Sequence, residues 1–146
     1  MVGRGAWYDP WRVLATADCR LGADENPAVN RRLVLDSYLE YADQQYPLLD
    51  VAEDALYRPL FYLFAGEARA KSFRVGLCDE VTRRAKLLRR GAADLPPPSE
   101  VVREALASAR ITAHALERRP GEASHNRPES PLTVAVAALD VSDSSS

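Results

Sequence analysis

Lysine is nearly absent from this chain. Lys71 and Lys86 are the only two among 19 basic residues, and the other 17 are arginine. With alanine abundant, this bias reads as a signature of base composition, so the basic count alone is no argument for nucleic-acid binding. Cysteine is also scarce, with Cys19 and Cys78 only, which excludes a disulfide-stapled secreted scaffold. Both sit in amphipathic segments and read as reduced thiols packed in a core. Seven glycines and no Gly-rich loop leave no nucleotide cradle, and neither a zinc-finger pattern nor a Gly-x-Ser-x-Gly elbow occurs. The longest apolar run, 60–65, falls far short of the roughly 20 residues that span a bilayer. No apolar leader segment follows Met1, so a cytoplasmic location without membrane contact is expected.

What remains is the composition of one globular domain: 146 residues, 47% hydrophobic and 27% charged, enough to bury a core without metal or disulfide. Asp9-Pro10 is a helix start, an N-cap followed by proline at the first helical position, with the helix running to about 21. Asn26-Pro27 repeats the signal. The segment to about 45 puts Val29, Leu35, Tyr38, Leu39 and Ala42 on one stripe, and Pro47 ends it. A short helix is expected over 50–57. The run 59–65 is apolar all round, the pattern of a segment buried on every side. A long helix is predicted over 67–90, with Ala70, Phe73, Leu77, Val81, Ala85 and Leu88 inward. Three prolines make 92–98 an extended linker. Ser99 then caps a helix striped by Val102, Ala105, Leu106, Ala109, Ala113 and Leu116. The expected fold is mainly α: a compact helical domain of about four to five helices over 1–119, then a polar, flexible tail at 120–146 with a short strand at 132–136.

Charge is unevenly spread. Residues 1–66 carry 6 basic and 10 acidic side chains, 67–119 carry 12 and 7, and 120–146 carry 1 and 4. A basic middle lies between acidic flanks. Either these halves neutralise one another, or Arg83, Arg84, Lys86, Arg89 and Arg90 form a patch for phosphates or an acidic protein surface. No base-reading motif accompanies the patch.

Chemistry-bearing constellations are thin. Asp36, Glu40 and Asp43 share a helical face, but a carboxylate metal site would also want a Glu-x-x-His pair, and none is present. His114 and His125 have no ligand-spaced companions, and nothing flanking Cys78 supports a nucleophile. No catalytic residue, metal, cofactor or small-molecule substrate is expected, and the chain reads as a non-enzyme. Trp7, Tyr8 and Trp11 crowd one short stretch. Aromatics beside arginine are typical interface anchors, and core positions are the alternative.

Two stretches carry a resemblance. Trp7-Tyr8-Asp9-Pro10-Trp11-Arg12-Val13-Leu14 and Arg31-Arg32-Leu33-Val34-Leu35-Asp36-Ser37-Tyr38-Leu39, running on to Tyr46-Pro47-Leu48-Leu49, resemble the small middle-component proteins of bacterial three-component ABC-ATPase systems. The likeness covers about the first third of the chain. It implies an accessory subunit joining an SMC-like or ABC ATPase to an effector in defence against phages or plasmids; the residues expected to bind such a partner are Trp7, Tyr8, Trp11, Arg12, Asp36 and Tyr38. The alternative expectation is a small helical nucleic-acid-binding protein using Arg83, Arg84, Lys86, Arg89 and Arg90.

Overall fold

The structure, a computed structural model, describes residues 3–48 and 53–122. It is mainly α, as the sequence predicts. The described residues form seven α-helices: α1 Gly3–Tyr8, α2 Pro10–Leu14, α3 Ala17–Arg20, α4 Arg31–Gln45, α5 Ala70–Arg89, α6 Pro98–Ala109 and α7 Ala113–Glu117. Three single 3-10 turns, Tyr46–Leu48, Glu53–Leu56 and Arg58–Leu60, lie between α4 and α5. The strand expected at 132–136 and the tail beyond 122 lie outside the described residues. None of the described helices is long and apolar enough to cross a membrane.

The helix count exceeds the expected four to five because two expected helices are divided and α1 is added, although the described part of the short helix expected over 50–57 is only the 3-10 turn Glu53–Leu56. The N-terminal one becomes α2 and α3, preceded by α1. Asp9 caps α2 as its position suggests, accepting from the Arg12 N–H, and Gly22, at φ 100°, follows α3. The second division separates α6 from α7. Arg110 adopts a left-handed conformation at φ 55°, and Thr112 caps the new helix by accepting from the Ala115 N–H. Ala113 is thereby exposed instead of continuing the stripe, while Ala115 is buried.

The start of α4 also differs from expectation. Asn26 is engaged elsewhere: its amide donates to the Ala15 carbonyl at 2.7 Å, and its oxygen accepts from the Ala28 N–H. Asn30 therefore serves as the cap, accepting from the Leu33 N–H at 2.9 Å, and Val29 is exposed. The apolar run 59–65 is only partly enclosed. Leu60, Leu63 and Phe64 are buried, whereas Phe61, Tyr62 and Ala65 are half-buried. The cysteine expectation is corrected too, since Cys19 is exposed and Cys78 half-buried.

Helix α6 organises the core by packing against both α4 and α5. Its Val101, Val102, Ala105 and Ala109 join Leu35 and Leu39 of α4, and Phe73, Leu77 and Val81 of α5, in one apolar cluster with Trp11, Tyr57, Leu60, Leu63 and Phe64. Each large side chain so enclosed contributes about 1.5–3 kcal/mol.

Candidate functional site

Three guanidinium groups lie in the interior, those of Arg31, Arg84 and Arg118. Arg31 is 1% exposed and Arg84 is fully buried. Arg31, the first residue of α4, donates to Glu67 at 3.0 Å and to the Ala115 carbonyl at 2.6 Å. Arg118 donates to the other oxygen of Glu67 at 3.1 Å. Glu67 thus bridges two arginines far apart in sequence, one at the start of α4 and one just after α7. Burial lowers the Arg31 pKa from its ordinary value, against the opposing pull of Glu67. Arg84 donates to Glu53 at 2.7 Å and to the Pro96 carbonyl at 2.8 Å. The Tyr57 hydroxyl donates to the same Glu53 oxygen at 2.8 Å. Buried charges persist only when paired and hydrogen-bonded in this manner.

The Glu67 position follows from a backbone device. Gly66 and Arg69 both adopt left-handed conformations, at φ 83° and 67°. They turn the chain twice between the 61–65 segment and α5, leaving the Glu67 side chain only 5% exposed. This delays α5 to Ala70, where the sequence suggested 67. Arginine in that conformation is uncommon and costs energy.

Around this turn, aromatic rings and arginines form two adjoining layers. In the inner layer, Arg31 lies 5.1 Å from the Trp11 ring centre and 5.2 Å from that of Phe64. Phe64 meets Phe73 edge to face at 5.1 Å. In the outer layer, Tyr8 meets Tyr62 edge to face at 5.2 Å, and Arg74 lies 5.1 Å from the Tyr62 ring centre. The outer residues lie close in sequence to inner ones. Tyr8 lies three residues before Trp11, Tyr62 two before Phe64, and Arg74 next to Phe73. A packed interior thereby supports a partly exposed aromatic–basic surface. Each such cation–π contact is worth about 0.5–1 kcal/mol at the surface and about 2 kcal/mol or more when desolvated.

The outer layer borders an open cleft of about 350 Å³. Phe61, Tyr62, Ala65 and Ala70 supply apolar wall, and Lys71 and Arg74 supply charge, with Tyr8 at one side. Among the described residues, no carboxylate pairs with Lys71 or Arg74.

The expected partner-binding residues divide. Trp7 and Tyr8 are exposed, and Tyr8 reaches the cleft. Trp11 is buried in the inner layer, so it is a core residue and not a surface anchor. Arg12 is exposed and paired with Asp9. Asp36 is exposed, while Tyr38 is half-buried with its hydroxyl donated to the Leu56 carbonyl at 2.9 Å. The expected basic patch loses Arg84 to the interior, because it is held there by Glu53 and Pro96. Arg83 is exposed and bound to Glu80, whose carboxyl this hydrogen bond holds below the usual range. Lys86, Arg89 and Arg90 are exposed at the end of α5. Asp43 leaves the carboxylate strip by turning toward α6, while Asp36 and Glu40 stay exposed. Among the described residues, no group of three or more His, Cys, Asp or Glu side chains is placed to hold a metal.

Phe61, Tyr62, Lys71 and Arg74 were not singled out from the sequence as site residues. A signal was present in the aromatic run 61–64 and in the Lys71–Arg74 pair one turn apart. Neither locates the cleft without the double turn at Gly66 and Arg69. No protein-family model matches this chain, and no curated protein or solved structure matches it significantly.

Proposed function

We propose that this chain is a non-enzymatic accessory subunit that docks on a larger protein partner. The observation that carries the reading is α1. It is a six-residue helix with no buried residue, and helices this short have little stability of their own in water. It carries Trp7 and Tyr8, which are 54% and 56% exposed. These residue types are enriched among the side chains that dominate binding energy at protein interfaces. Covering them removes apolar surface from water at about 25 cal/mol per Å².

The finer form of the proposal rests on the resemblance of 7–14 and 31–39 to middle-component proteins. The partner is then an ABC or SMC-like ATPase, and the assembly serves defence against phages or plasmids. Co-expression with the products of neighbouring genes, followed by size-exclusion chromatography, tests the proposal. Co-elution is expected for the wild type. It should be lost in Trp7→Ala/Tyr8→Ala with the melting temperature little changed. Separate elution in every pairing refutes the reading.

A second reading, nucleic-acid binding, keeps one specific observation: Lys86, Arg89 and Arg90 stand exposed together at the end of α5. Gel shifts over a salt series test it, since phosphate contacts give affinity that falls steeply with salt. Charge reversal at these three positions should abolish the shift. No shift by the wild type at low salt removes the reading.

A further inference from the structure

We infer that the cleft between α1, the 61–66 turn and the start of α5 receives an acidic peptide segment bearing an aromatic or aliphatic side chain. This rests on the accessory-subunit reading and specifies the chemistry of the partner. Three observations carry it. First, the wall formed by Phe61, Tyr62, Ala65 and Ala70 is apolar, and about 350 Å³ is at the small end of ligand sites. That suits one large side chain better than a sizeable cofactor. Second, the charges at the rim, Lys71 and Arg74, are of one sign. Among the described residues neither has a carboxylate partner, so both are available to an incoming carboxylate. Third, Arg74 is held over Tyr62, and Tyr62 is braced by Tyr8. The cation is therefore positioned before any ligand arrives, which lowers the ordering cost of binding.

The same surface is poorly suited to a nucleic-acid strand. A single strand wants a continuous basic track beside its stacking rings. Along α5 the acidic Asp79 and Glu80 interrupt the sequence between Arg74 and the distal cations. Two cations beside an apolar hollow match an isolated hydrophobic side chain flanked by carboxylates.

The test is selection of a randomised 12-residue peptide display library on the immobilised full chain. Individual peptides are then followed by fluorescence anisotropy, with a 20-residue oligothymidylate as a parallel probe. Enrichment of peptides combining Asp or Glu with Trp, Phe or Leu is expected. Lys71→Gln/Arg74→Gln should weaken them at least about tenfold, and so should Tyr62→Ala. Arg103→Gln, at an exposed position on α6, should leave affinity unchanged, and circular dichroism should report intact helix content in all variants. No enrichment, a basic or uncharged consensus, binding indifferent to Lys71 and Arg74, or tighter cleft-dependent binding of the oligonucleotide would each overturn the inference. Failure here with partner co-elution intact sinks the cleft alone. Peptide binding with no co-eluting partner sinks the accessory-subunit reading instead.

Discussion

The carboxylate of Asp43 caps a helix to which it does not belong. It sits near the end of α4 and accepts a hydrogen bond from the Ser99 N–H of α6 at 2.8 Å. The residue preceding α6, Pro97, makes no side-chain cap, so the bond from α4 replaces a local one and couples the two helices. Asp43→Ala should cost about 0.5–2 kcal/mol, the range for losing a cap, with Asp43→Asn milder. Urea denaturation midpoints measure it. An unchanged midpoint in the alanine variant would show that the bond contributes nothing.

Glu67 bridges Arg31 and Arg118 in the interior. Removing it leaves two guanidinium groups without their carboxylate. Breaking a buried ion pair from one side costs about 3–5 kcal/mol, a large part of the roughly 5–15 kcal/mol that holds a domain folded. Glu67→Ala should therefore be largely unfolded or melt far below the wild type, as followed by circular dichroism.

Arg83 and Arg84 are neighbours with opposite fates. Arg83→Ala should change stability by no more than about 0.5 kcal/mol, as at ordinary surface sites. Arg84→Ala should cost about 3–5 kcal/mol, because Glu53 is left buried beside Tyr57. Equal effects in a chemical-denaturation comparison would contradict the assignment. A charge reversal at Arg84 should therefore disturb folding before it reports on any ligand.

Burial, reinforced by the hydrogen bond to Glu53, pushes the Tyr57 hydroxyl well above its ordinary range. The folded protein keeps this proton at pH values where the unfolded chain releases it. The resulting stabilisation is intact below the ordinary tyrosine value of about 10 and declines as pH rises beyond it. Tyr57→Phe should be less stable at neutral pH by about 1.5–3 kcal/mol, the range for a hydrogen bond to a charged group. Its stability should also fall less steeply than that of the wild type above about pH 10. Urea midpoints from pH 8 upward compare the two, and parallel curves would exclude the effect.

Much of the scaffold was legible because apolar spacing reports burial directly. Leu35, Leu39 and Ala42, then Phe73, Leu77 and Val81, and then Val102, Ala105 and Ala109 all fall where the stripe puts them. The buried arginines were hidden because a charged residue on such a stripe reads as its edge. Yet the two helices share a spacing. Arg31, Leu35, Leu39 and Ala42 repeat the intervals of Phe73, Leu77, Val81 and Arg84, and each set has an arginine at one end. What the spacing cannot supply is the counter-charge. Glu67 is 36 residues from Arg31, and Glu53 is 31 from Arg84. Trp11 was ambiguous for the same reason, since the cation against which it packs lies on another helix. The cleft was least visible, because it depends on a left-handed arginine that local propensity disfavours.

The link between Arg31 and the Ala115 carbonyl also imposes an order on biosynthesis. The acceptor is made 84 residues after the donor. At roughly 5–20 residues per second on the ribosome, the guanidinium waits on the order of 4–17 s for it. The nascent amino-terminal half thus leaves the exit tunnel with this guanidinium lacking its carbonyl acceptor, and final closure awaits α7.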